Sequence, residues 1–248
     1  FIFLGIFNSS YSKTPNFNQD AKNISSYFSG MVSFDNFDYS NSEKFLNNLA
    51  KSEDGSKNFS SKYLQSLINL EKYNQAYLYA KKLERKNLLN FEGNLILGLY
   101  EFKKKRYNKA KFYFNKLESS FQNKLNFQPL KTSLESWSDI LESENKKSIN
   151  VITSLPPEYG IFKLAQEAFA YCYFNDPITE KKFEKIVGTD NNRFYRYNYF
   201  FANYLIEKGE YKKAENILAL TSEKYPRNLL INQFSEGLKK KYKNRNKF

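Results

Sequence analysis

Residues 94–115, NLILGLYEFKKKRYNKAKFYFN, decide how the chain folds. Leu97 and Gly98 lie in an apolar run, a basic break follows, and Tyr107, Ala110 and Phe114 resume the apolar pattern beyond it. Apolar residues recur at helical spacing on both sides of the break, so the stretch reads as helix, turn, helix. Gly98 on the first helix and Ala110 on the second are small enough for two antiparallel helices to approach until their ridges enter each other's grooves.

Working outward, the same pattern returns as Tyr39, Ser42, Leu46, as Tyr73, Ala76, Ala80 and as Tyr211, Ala214, Leu218. Tyr39 to Tyr73 and Tyr73 to Tyr107 are each 34 residues, and Tyr107 to Tyr211 is 104, three times 34 plus two. A fixed period of this length is the signature of stacked helical hairpins. The copies run over residues 24–57, 58–91, 92–124 and 196–229. In the last, residues 195–207 read as a helix, Lys208, Gly209 and Glu210 break it, and residues 211–224 form a second helix that ends before Pro226.

Leu97, Gly98, Tyr107, Ala110 and Phe114 in one copy, with Tyr211, Ala214 and Pro226 in another, resemble the tetratricopeptide repeat family. The family's early Trp is missing from all four copies, Ser42 replaces the small Ala in the first, and Ala80 replaces the large Phe in the second. The resemblance implies an all-α fold, a right-handed superhelical solenoid of antiparallel helix pairs whose first helices line a concave binding face. As a whole the chain also resembles the N-terminal part of long exported tetratricopeptide proteins of alphaproteobacteria. That looser resemblance implies a periplasmic or envelope location and no defined activity.

The organisation read from the sequence is a signal-like or unstructured segment over 1–20, three hairpins over 21–126, two degenerate hairpins over 127–190, and a hairpin plus a further helix over 191–248. In the degenerate part, residues 130–141 read as a helix and residues 146–155 as its short partner, stopped by Pro156 and Pro157. Residues 161–174 form an apolar helix, and residues 177–187 a second one capped by Asn175 and Asp176. The alternative is a break between two shorter arrays, with a hinge near residues 156–157. Residues 1–7, FIFLGIF, carry no charge and precede a small polar run, which reads as the end of an export signal or as the remnant of a first helix. Residues 239–248 are a basic tail or the polar end of a helix.

Composition removes most chemistry. The chain of 248 residues has no His and one Cys, Cys172, so it offers no internal disulfide, no Cys/His metal set and no His-activated nucleophile. Gly93 and Gly98 have phosphate-loop spacing, but Leu99 and Tyr100 stand where Lys and Ser or Thr are required. Glu135, Glu142 and Glu144 are the remaining acid-base candidates, and on a helix they read as a solvated face. Cys172 and Trp137 read as core. No enzyme activity, cofactor or metal is expected. The net charge of +13 rests on 33 Lys and six Arg, a solvated surface rather than a phosphate-reading one.

The expected function is a scaffold that binds a protein or peptide, acidic in one reading, on the concave face. The repeat alignment assigns that face to Tyr27, Met31 and Phe34, then Gln65 and Asn69, then Leu99, Phe102 and Lys103, and finally Arg196, Tyr199 and Asn203. Aromatic and Met side chains supply adaptable contact area, and the amides and cations meet carbonyls or acidic groups. Two other readings are an RNA- or anion-binding helical repeat using the Lys clusters, such as Lys103, Lys104, Lys105, Arg106, Lys109 and Lys111, and an accessory domain of an envelope enzyme. No stretch has the length and apolarity of a membrane span.

Overall fold

The structure, a computed structural model, describes residues 17–51, 57–120, 124–188 and 195–245. The apolar start at residues 1–7, read above as signal or helix remnant, and the last three residues lie outside them. Among the described residues every regular element is a helix. The chain divides into two units, residues 1–122 and residues 123–248.

The first unit is three helix pairs: α1 (Phe17–Asp35) with α2 (Tyr39–Lys51), α3 (Lys57–Asn69) with α4 (Tyr73–Arg85), and α5 (Phe91–Lys103) with α6 (Tyr107–Phe114). A 3-10 segment, Asn115–Ser120, prolongs α6. In the second unit α7 (Lys124–Ser143) packs on the short α8 (Ile149–Thr153). The pairs α9 (Gly160–Tyr173) with α10 (Thr179–Val187) and α11 (Tyr195–Glu207) with α12 (Tyr211–Lys224) follow, and then α13 (Leu229–Arg245). This is an all-α helical-repeat fold. The helix read at residues 130–141 is longer and runs through the buried Pro129, while the helix read from Pro177 starts two residues later, after a turn in which Asp176 accepts the Ile178 N–H at 2.9 Å.

The recurring Tyr is the first residue of the second helix in all four copies, because the first helix of each pair ends in the same turn. Phe37, Glu71, Lys105 and Gly209 adopt φ of 60°, 57°, 58° and 82°, two residues before each Tyr. Around Glu71, the Lys72 N–H reaches the Leu67 carbonyl at 2.8 Å and the Glu71 N–H that of Ile68 at 3.0 Å, which closes the helix by satisfying carbonyls that would be orphaned. The same two bonds recur around Phe37, Lys105 and Gly209, and around Asn175 between α9 and α10. That last turn marks a hairpin whose Tyr motif is absent.

Packing inside each pair is a size exchange. Gly30 on α1 faces Leu46 on α2, and Gly98 on α5 faces Phe114 on α6, so closely that a Cβ on either Gly would lie 2.5 Å and 2.4 Å from its neighbour. One repeat earlier than Gly98 the arrangement is inverted: Leu64 and Ala80 occupy the two positions, both fully buried in one cluster. The Ala80 departure is thus compensated by Leu64. Ala202 and Leu218, equally buried, repeat the small-large order between α11 and α12.

Successive pairs of the first unit are tied by bonds that span about one repeat. Ser66 donates to the Ser42 hydroxyl at 3.0 Å, Lys82 donates to the Ala50 carbonyl near the end of α2, and Tyr113 donates to Glu84 at 2.6 Å. Tyr63 donates to Asn47 at 3.0 Å and stacks edge-on against Tyr79, and its burial, aided by Glu43 and Tyr79, pushes its phenol up to about 12.

Candidate functional site

In the first unit α3 packs against both α1 and α5, so the first helices of the three pairs form one layer, and the second helix of each pair fills the joint to the next first helix. Residues 34 apart therefore stand side by side on this layer, about 10 Å from helix to helix. The rows are Tyr27, Ser61 and Leu95, then Met31, Gln65 and Leu99, then Asp35, Asn69 and Lys103. Each of these side chains keeps solvent exposure.

The chemistry across the rows is graded. Tyr27 and Met31 on α1 and Leu95 and Leu99 on α5 are apolar flanks. Between them lies a polar joint: Ser61 donates to Glu92 Oε1 at 2.7 Å, and Gln65 Nε2 donates to the same oxygen at 2.8 Å and to Ser61 Oγ at 3.0 Å. Both donor hydrogens of the Gln65 amide are thereby used within the protein, which fixes the amide and leaves its carbonyl oxygen as the open acceptor. Glu92 is itself buried and sits in the first turn of α5, where the helix dipole favours a carboxylate. The Asn90 side chain caps that helix by accepting the Gly93 N–H at 2.9 Å.

Of the residues expected to line the face, Tyr27, Met31, Gln65, Asn69, Leu99 and Lys103 stand on this layer. Asn69 donates back to the Gln65 backbone carbonyl at 2.8 Å, and Leu99 and Lys103 are exposed. Phe34 and Phe102 are half-buried and turn toward their own hairpins, edge-on to Tyr39 at 5.5 Å and to Tyr107 at 5.3 Å. Arg196, Tyr199 and Asn203 belong to α11 in the second unit, so they are described apart from the first eight. Tyr199 packs on Phe234 of α13 with ring centres 4.7 Å apart, Asn203 donates to the Tyr199 carbonyl, and Arg196 is exposed in the first turn.

The sequence reading missed Ser61, Leu95 and Glu92. Stepping 34 residues from Tyr27 reaches Ser61 and then Leu95, so the period carried the signal for those two. Glu92 had no such signal, because it reaches the face only through bonds to the preceding pair.

Other groups have structural surroundings. Trp137 donates to Gln166 at 2.8 Å, and Glu135 pairs with Lys131 at 3.6 Å. Burial, with Glu207 adding, pushes the Cys172 thiol up, so it is not a thiolate at neutral pH. A recess between Ala50, Phe59, Tyr79, Lys82 and Leu83 encloses about 10 Å³, room for one water at most. Contact area is offered by the helix layer, not by this recess. No helix among the described residues is long and apolar enough to cross a membrane.

No family model and no curated protein matches the chain. Among solved structures, a chain from the structure of Naa15/Naa10 bound to HypK-THB is similar at 12% identity and a TM-score of 0.31, over 88% of this chain and 39% of that one. The present chain thus spans well under half the length of that neighbour. The helical-repeat assignment rests on the chain's own helix pairs and their shared turn.

Proposed function

We propose that the chain is a tetratricopeptide-type, non-catalytic scaffold that docks a protein or peptide on the layer formed by α1, α3 and α5. The observation that carries this reading is the set of three rows, with an acceptor fixed by Glu92 at its centre and apolar flanks on either side. An extended segment crossing the helices would place apolar side chains against Tyr27, Met31, Leu95 and Leu99. One of its backbone N–H groups would meet the Gln65 carbonyl. Because Gln65 and Glu92 are already held, little side-chain freedom is lost on docking. Lys103 and its neighbours Lys104 and Lys105, all exposed, favour a partner with acidic residues at that end.

Selection of peptides from a displayed random library tests the proposal. Selected peptides are expected to lose about tenfold or more in affinity on Leu99→Asp and on Met31→Asp, each of which puts a charge against an apolar contact. Lys103→Glu is expected to weaken acidic peptides selectively. Equal binding to wild type and to all three variants would overturn the assignment. A steep fall of affinity with salt would instead favour the anion-binding reading through the Lys clusters.

A further inference from the structure

The positions by which each first helix sits on the pair before it are the same in every copy. In α3, Lys62 reaches Asp35 at 3.3 Å and lies 4.0 Å above the Phe34 ring, and Ser66 bonds to Ser42. In α5, 34 residues on, Ile96 packs into the cluster built by α2, α3 and α4, and Tyr100 stacks on Tyr77 with ring centres 3.8 Å apart. In α11, 104 residues further, Phe200 meets Phe169 at 5.2 Å and Tyr204 meets Phe183 at 5.9 Å. Every partner belongs to the hairpin immediately upstream in sequence.

Carried back to α1, these positions are Phe28 and Val32, with Ile24 one turn before them, so all three are apolar. They are 62%, 59% and 58% exposed, a stripe along one side of the helix. At the equivalent positions in the other first helices such side chains are covered. The stripe is a seat of the kind the later repeats fill.

We infer that residues 1–7, FIFLGIF, of the same chain occupy this seat and cap the array. Three observations choose that occupant. In α3, α5 and α11 the covering element is the one directly N-terminal, and for α1 that is the stretch ending at residue 16. The segment carries no charge, as an apolar seat requires. The intervening residues span up to about 33 Å when extended, and Val32 lies about 22 Å along the helix from Phe17, so the reach suffices. A second copy is disfavoured, because two chains of net charge +13 repel. Use as a cleaved export signal is the exclusive alternative, since a removed segment caps nothing.

A photo-crosslink tests the inference on the full chain, with a benzophenone-bearing phenylalanine in place of Phe28. Phe28 is exposed, so the replacement leaves the core intact. After irradiation and trypsin, the expected product joins the Phe28 peptide to the peptide of residues 1–13 within a single chain. The triple variant Ile2→Ser, Leu4→Ser, Ile6→Ser is expected to cut that yield by about tenfold. A crosslink in a band of doubled mass, a crosslink to any other segment, or none above the solvent-quenched background would each overturn it.

Discussion

Exchanging the sizes at Gly98 and Phe114 puts the packing argument at greatest risk. Gly98→Leu alone places a Cβ 2.4 Å from Phe114 Cε1 and 2.6 Å from Cδ1, against a ring that is fully buried and has nowhere to move. Overpacking of that kind costs about 1–3 kcal/mol. Phe114→Ala alone leaves a cavity and costs about 3–5 kcal/mol. The double variant reproduces the Leu64 and Ala80 arrangement that the neighbouring pair already uses. It buries two side-chain carbons fewer than wild type, a loss of about 1–2 kcal/mol, and regains up to about 1 kcal/mol by removing a helical Gly. The double variant is therefore expected within about 2 kcal/mol of wild type, against about 4 kcal/mol or more if the single losses added. Urea unfolding followed by far-UV circular dichroism measures all four proteins, with unchanged slopes as the check on comparability. Losses that add to within about 0.5 kcal/mol would refute the idea that these positions exchange volume.

The shared turn gives a second test of opposite sign. Gly209→Ala, whose Cβ meets nothing, is expected to destabilise by about 1 kcal/mol through its positive φ alone, whereas Phe37→Gly, at 77% exposure, is expected to stabilise by a few tenths to about 1 kcal/mol. Tyr63 is held neutral in the folded chain up to about pH 12, while an unfolded Tyr ionises near 10. Between those values the unfolded state binds fewer protons, so stability falls as pH rises, by about 2–3 kcal/mol from this residue, and Tyr63→Phe is expected to flatten that part of the stability curve. Gln65→Glu sets a second carboxylate where the amide now donates to Glu92 at 2.8 Å. It is expected to destabilise by about 1–3 kcal/mol at pH 7, with recovery below about pH 5 as one of the pair takes a proton, read by the same unfolding assay.

Much of the helix pattern was legible because Tyr39, Tyr73, Tyr107 and Tyr211 mark the first residue of each second helix. The turns were less so. Only Gly209 announces a positive φ, while Phe37, Glu71 and Lys105 adopt one because the two closing bonds of the turn and the burial of both helices outweigh the local steric cost. Pro129 looked like a helix start, since its missing N–H and ring oppose a preceding turn, yet α7 runs through it. Ala80 looked like a defect because its compensation, Leu64, lies 16 residues away on the facing helix. At the candidate site, single positions such as Met31 and Gln65 followed from the period. Phe34 and Phe102 did not fit so simply, because large rings one position off the layer prefer the hairpin interior.

The chain has one methionine, Met31, in the middle row of the proposed docking layer. Methyl-labelled methionine therefore gives a single NMR signal placed where a bound segment must lie. On titration with a library-selected peptide, the account expects that signal to shift in step with binding and the shift to be lost in Leu99→Asp. A signal that stays fixed while binding saturates would contradict docking on this layer.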